Sequence, residues 1–163
     1  MRKDNGQLIV ELMVAMGLMV IGLLGIFSVL SQSLGLSRVA ANQYIAANLA
    51  AEGIEVTKNI LDTNFINGYQ WNLGFQNGDY AVEFNSASLI DSPQTINSPL
   101  KFDESTGRYN YTTGKNTNFV RRITIENIDP TEIKVTSQIE WKDRGGTDFE
   151  IVIEDRFKNW RES

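Results

Sequence analysis

Glu11 is the residue whose surroundings most need explaining. It stands between Leu8-Ile9-Val10 and Leu12-Met13-Val14, at the head of a stretch that carries no charge over residues 12–30. An unpaired carboxylate in such a place costs on the order of a few kcal/mol unless water or a cation reaches it. The nearby basic side chains are Arg2 and Lys3, on the far side of Gly6. Either they snorkel back toward the carboxylate or they are removed altogether.

The rest of the sequence offers little from which to build a reaction. Cysteine and histidine are both absent, which removes disulfides, the usual zinc ligands and every thiol or imidazole mechanism. No nucleophile and base pair, phosphate loop or metal cluster is visible, so the expectation is a non-enzyme with no catalytic residue, no metal and no cofactor. Asp143 and Asp148 around Gly145-Gly146 lack the alternating spacing of a calcium loop and read as a hairpin turn. Arg121 and Arg122, with Lys142, Arg144, Lys158 and Arg161, are candidates for a basic patch toward DNA. Neighbouring strand residues point to opposite faces, however, and the net charge is -5, so a solvated surface without a nucleic-acid partner is expected. Asn110-Tyr111-Thr112 has the form of a glycosylation sequon, a pattern short enough to arise by chance.

The element that must position Glu11 is the apolar run itself. Residues 12–30, LMVAMGLMVIGLLGIFSVL, form a helix roughly 28 Å long at about 1.5 Å per residue, close to the roughly 30 Å hydrocarbon core of a bilayer. A core helix of this length would need a polar face. A cleaved secretory signal would have a shorter apolar region and a small-x-small site, whereas residues 27–32 continue into helix-compatible sequence. The spacing therefore predicts a membrane-spanning helix over 7–30. Arg2 and Lys3 precede it and the next basic residue is Arg38, so the positive-inside rule predicts a single pass with a cytoplasmic N-terminus and the rest of the chain outside.

The order Arg2-Lys3-Asp4-Asn5-Gly6, then Gln7-Leu8-Ile9-Val10-Glu11, then a long apolar helix, resembles the leader of type IV prepilins and type II secretion pseudopilins. That resemblance implies cleavage by a prepilin peptidase between Gly6 and Gln7, N-methylation of Gln7, and an assembly role for Glu11 as partner of a neighbouring subunit's terminal amine. Gln7 and Leu8 stand where the family usually has Phe and Thr, and Ser28 where many members have a kinking proline. An ammonium and a carboxylate that relieve each other's desolvation form a device for register more than a source of net stability. Residues 49–60 resemble, more weakly, the helix end of minor-pilin-like proteins.

Beyond residue 30 the sequence has room for one small domain. Helical periodicity continues over 31–61. Counted at 100° per residue, Leu36, Ala40, Ala47, Ala50, Ile54 and Leu61 form one stripe, and Leu34, Ile45, Leu49, Val56 and Ile60 form another on the opposite side. Two apolar faces predict two partners, the chain's own domain and the helices of neighbouring subunits. Asp62-Thr63-Asn64-Phe65 is expected to end the helix. A variable loop region over 62–99 follows, with turns at Asn67-Gly68 and Asn77-Gly78. Its aromatics Tyr69, Trp71 and Phe75 read as anchors onto a sheet, with a sugar-binding platform as the alternative. A strand over 79–84 would point Tyr80, Val82 and Phe84 one way, and residues 85–99 read as a polar surface loop.

Over 100–157 the pattern is β. Residues 100–103 and 108–113 flank a hairpin turn. Phe119, Arg121, Ile123 and Ile125, then Ile133, Val135, Ile139 and Trp141, then Phe149, Ile151 and Ile153 alternate with polar residues, giving an antiparallel meander with one apolar face. The helix after residue 31 is available to cover it. The expected fold is α+β, pilin-like: a leader over 1–6, a membrane-spanning assembly half-helix over 7–30, and an extracytoplasmic domain over 31–163 whose helix lies on an antiparallel sheet.

Two functions compete on these residues. One is a structural subunit, a minor pilin or pseudopilin, whose partners are a prepilin peptidase, the membrane and other pilin or pseudopilin subunits. The other is a membrane-tethered binding domain, an adhesin or sugar sensor. A lone anchor has no use for Glu11 or for a Gly-terminated basic leader, which favours the first.

Overall fold

The computed structural model describes residues 4–143 and 145–159, with side chains from residue 6 onward. Arg2, Lys3, Arg144 and Arg161 lie outside the described residues. One helix, α1, runs from Asp4–Ile66. After it come β1 (Gly78–Tyr80), a single-turn helix α2 (Pro93–Ile96), β2 (Pro99–Asp103), β3 (Arg108–Asn110), β4 (Lys115–Asp129), β5 (Glu132–Lys142) and β6 (Asp148–Lys158). The chain divides into two units, Met1–Asn42 and Gln43–Ser163.

In the first unit α1 stands alone. Its apolar stretch has a mean hydropathy of 2.5, is long enough to cross a membrane, and none of it is buried against the chain. Leu12, Met19, Ile26 and Phe27 are all exposed. A helix apolar all round and unburied has no water-compatible face, which is compatible with membrane anchoring.

In the second unit the strands form one antiparallel sheet in the order β3-β2-β4-β5-β6, with β1 pairing to β4 off that path. The long meander follows from its alternation. Ile123 lies across from Ser137 and Ile139 from Ile151, so inward residues of β4, β5 and β6 share a face. Phe119, Arg121, Ile123, Ile125, Ile133, Val135, Ile139 and Trp141 are all buried there. The later part of α1 covers them in two clusters. Ile54, Ile60 and Leu61 pack with Trp71, Ile125 and Val135; Ala46, Leu49 and Ala50 pack with Leu100, Phe119 and Trp141. Each fully buried aliphatic side chain contributes about 1.5–3 kcal/mol, so the sheet and this half of the helix hold each other.

The helix faces correct the two-sided expectation. Leu49, Val56 and Ile60 are buried together with Ala50, Ile54 and Leu61. At 100° per residue these two rows lie about 120° apart, as flanks of one face centred on Ala46, Gly53 and Asn64. Small central residues let the helix sink until both flanks touch the sheet. A Cβ on Gly53 would come 2.5 Å from Ser137 Oγ and 2.8 Å from Ile123 Cδ1, contacts that only glycine avoids. Leu34 and Leu36, the N-terminal members of the two rows, are exposed.

Other boundaries differ locally. The helix passes Asp62 and continues to Ile66, with Thr63 Oγ1 donating back to Asn59 O at 2.7 Å. It stops where Gly68 adopts φ +72° and Tyr69 N donates to Asn64 O at 3.0 Å, a glycine-dependent C-terminal turn. The first strand is shorter than 79–84, because the Val82 carbonyl accepts from Arg121 Nη2 at 2.6 Å and only a lone bridge joins Ala81 to Ile90. Residues 85–99 are not a plain surface loop: Ser92 caps α2, whose Ile96 is buried. The strand expected to reach residue 113 ends at Asn110, whose Oδ1 accepts from Thr112 N at 2.8 Å and Thr113 N at 2.7 Å and so turns the chain.

Candidate functional site

Gly6, Gln7, Val10 and Glu11 lie together on α1 around one shallow surface groove. The run from Gly6 to Glu11 is helical and exposed throughout, and a Cβ on Gly6 would meet nothing within 4 Å. Positions 7, 10 and 11 are three and four apart, so they share one helix face by the pitch alone. Among the described residues Glu11 has no cation within ion-pair distance; the pairs formed by the other carboxylates all lie in the second unit. The expected cleavage bond, the expected methylation site and the expected assembly carboxylate thus share one accessible face bordered by apolar side chains.

A second carboxylate on the same helix behaves in the opposite way. Glu52 Oε1 accepts from Arg121 Nη1 at 3.0 Å, and the Arg121 side chain is 0% exposed while that of Glu52 is 34% exposed. Arg121 Nη1 also donates to Leu49 O at 3.1 Å, and Nη2 to Val82 O. One guanidinium therefore ties α1, β4 and the segment after β1 together. Tyr111 closes the neighbourhood, its hydroxyl donating to Arg121 O at 3.4 Å, and burial pushes its phenol up from 10.0 despite the nearby guanidinium. A buried pair of this kind specifies an arrangement more than it adds net stability. The solvated surface expected for Arg121 is thereby corrected. Its place between Phe119 and Ile123 at the apolar parity was the signal that it points inward, and Glu52 beside Gly53 at the narrowest approach was the signal for its partner.

The remaining candidates have settled structural partners. Arg122 faces the other side of the sheet, where its Nη2 donates to Asn97 Oδ1 at 3.3 Å. Lys142 pairs with Asp148 at 3.2 Å and Lys158 with Glu132 at 3.2 Å. Asp143 accepts from Thr147 N at 3.0 Å within the β5–β6 turn. Among the described residues no group of three or more His, Cys, Asp or Glu is placed to hold a metal ion. Asn110 is buried with its amide oxygen engaged in the turn already described, so the sequon is not presented to solvent. Trp71 and Phe75 are buried, and Trp71 Nε1 donates to Pro130 O at 3.3 Å. They are anchors, as the loop's composition suggested, while Tyr69 remains 59% exposed.

Compared with known proteins, the chain matches no family model, no curated protein and no solved structure.

Proposed function

We propose that this chain is a structural subunit, a minor pilin or pseudopilin of a type IV pilus or type II secretion-like filament. In this reading a prepilin peptidase cuts after Gly6, Gln7 becomes the methylated N-terminus, and the chain assembles with other pilin or pseudopilin subunits through the first half of α1. Before assembly it sits in the cell membrane with its N-terminus cytoplasmic and its sheet outside. It is not an enzyme; its work is mechanical.

The observation that carries this reading is Glu11. It lies on an exposed apolar helix face, just beyond Gly6, with no cation of its own among the described residues. A hydrocarbon environment tolerates such a group only with a partner. A terminal amine newly freed at Gln7 on an adjacent subunit has the right charge and the right depth. The architecture is compatible: a long helix, apolar in its first half, whose second half is seated on an antiparallel sheet.

Mass spectrometry of the N-terminus of protein purified from its native membrane tests the processing step. The expected chain begins at Gln7, methylated or cyclised. An intact Met1, or a cut near residue 31, contradicts the reading and leaves the tethered binding domain in its place.

A further inference from the structure

Arg38 and Lys58 are the two basic residues of α1. Arg38 is exposed, and none of the ion pairs among the described residues uses it. The same holds for Glu55, an exposed carboxylate further along the helix. Each charge closes an exposed stripe. Phe27, Ser31 and Leu34 lead up to Arg38, and Tyr44, Asn48 and Ala51 lead up to Glu55, all of them exposed. Both stripes advance in steps of four, three and four residues, the spacing that keeps one line of a helix facing a parallel neighbour. Along the second stripe the sheet takes the other side of the helix, at Ala46, Leu49 and Gly53, and leaves Tyr44 to Glu55 uncovered.

We propose that two copies of this chain pack α1 against α1, parallel and staggered by 17 residues, so that Arg38 of one copy meets Glu55 of the next. This contact rests on the filament reading and names a partner within it, another copy of the chain. In the same register Leu34 sits over Ala51, whose small side chain gives it room, Phe27 lies on Tyr44, and Ser31 faces Asn48. The other carboxylates of α1 serve Arg38 less well. Glu52 is already bound to Arg121. Facing Asp62 would set Leu34 on Lys58. Facing Glu11 would occupy the carboxylate assigned to the terminal amine and leave Glu55 against Ser28. An exposed ion pair adds little affinity, so its part is to select the register that the apolar contacts then stabilise. Both copies point the same way, as one membrane and one filament require. The stagger is roughly 26 Å at about 1.5 Å per residue, so copies at equal depth in a bilayer do not make the contact, and it forms when one copy has moved outward past the other. Each copy offers one stripe to one neighbour and the second stripe to another, which makes the contact heterologous and open-ended.

The chain has no cysteine, so introduced ones report the register directly. Facing positions of a close parallel seam come within reach of a disulfide. The full-length Leu34→Cys/Ala51→Cys protein, made in its native cell and oxidised in sheared filaments, is expected to run without reductant as a ladder of dimers, trimers and larger species. Leu34→Cys or Ala51→Cys alone should stay monomeric, because 34 faces 51 and neither faces itself. The unassembled membrane fraction of the double variant should give several-fold less ladder than the filaments. Adding Arg38→Glu sets two carboxylates together and should abolish the ladder; adding Glu55→Arg to that variant should restore it, which excludes misfolding or a displaced span as the cause of the loss. A chain that never enters sheared filaments would overturn the filament reading and this contact together. A chain that enters them but gives no ladder, gives it equally from either single cysteine or from the membrane fraction, ignores Arg38→Glu, or fails to recover with the reversed pair would overturn the contact alone.

Discussion

The two halves of α1 use the same residue types to opposite ends. Up to residue 30 the helix carries Gly17, Gly22 and Gly25 with nothing within 4 Å of where a Cβ would stand, and past residue 43 it carries Gly53 pressed against Ser137 and Ile123. The first half carries Glu11 with no cation among the described residues, while the second carries Glu52 bound to Arg121 at 3.0 Å. Apolar side chains follow suit, exposed in one half and buried in the other. Small residues permit close approach and a carboxylate asks for a cation. In the second half the chain's own sheet meets both demands, and in the first they remain open among the described residues.

The sharpest way to break this contrast is to remove the partner of Glu52. Arg121→Ala is expected to destabilise the second unit by about 3–5 kcal/mol, because it leaves the carbonyls of Leu49 and Val82 without their donor and opens a cavity at a fully buried side chain. Arg121→Met keeps the stem packing and leaves the partly exposed Glu52 free to hydrate, so its cost should be smaller. Urea unfolding followed by tryptophan fluorescence measures both, since Trp71 and Trp141 report from the two core clusters. Glu11→Ala should leave the same curve unchanged. An equal loss for the two alanine variants would erase the distinction between the halves.

The glycines give the next largest difference. Gly53→Ala places a methyl group where Ser137 Oγ and Ile123 Cδ1 already stand, and an overpacked contact of this sort costs about 1–3 kcal/mol. Adding Ser137→Ala removes the closest atom and should recover part of the loss. Gly22→Ala meets open space and gains helix propensity, so its effect on the same unfolding curve should stay within about 0.5 kcal/mol.

Acid sensitivity is the smallest effect and arises in the second unit, at the turn between β4 and β5. Hydrogen bonds from Arg156 and then Lys158 hold the Glu132 carboxyl below its ordinary 4.5, and the Thr131 hydroxyl and N–H do the same for Asp129. A carboxylate depressed on folding contributes stability that is fully present above its ordinary value and is lost as the pH falls through the lowered one. The thermal midpoint of the second unit should therefore drift down below about pH 4.5 and be insensitive to these groups at neutral pH. Added salt should shrink the drift, because these pairs are at the surface.

Much of this architecture was legible in the residues. The membrane-length run, the three-stranded meander and its inward parity follow from hydrophobic period alone, and the covering helix follows from being the one long amphipathic element left. The contacts that cross the sequence were harder to read. The two helical rows looked like opposite faces because periodicity records angle and not how deeply Gly53 lets the helix sink. The strand after residue 79 looked longer than it is because nothing local announces that Arg121 takes the Val82 carbonyl. The late end of α1 was hidden by Asp62-Thr63-Asn64, residues that favour turns in isolation but here bond back into the helix or forward to the loop. Of the candidate site, the shared exposed helix face of Gln7, Val10 and Glu11 was readable from their spacing along one helix.

The central claim is that another subunit supplies what Glu11 lacks, and incorporation of a Glu11→Leu variant into filaments tests it most directly. The substitution makes the span more apolar, so membrane insertion and the fold of the second unit should be retained. The account predicts that the variant stays in the membrane fraction but disappears from sheared filaments and from crosslinked oligomers with partner pilins. Incorporation of Glu11→Leu at the level of the unsubstituted protein would contradict it.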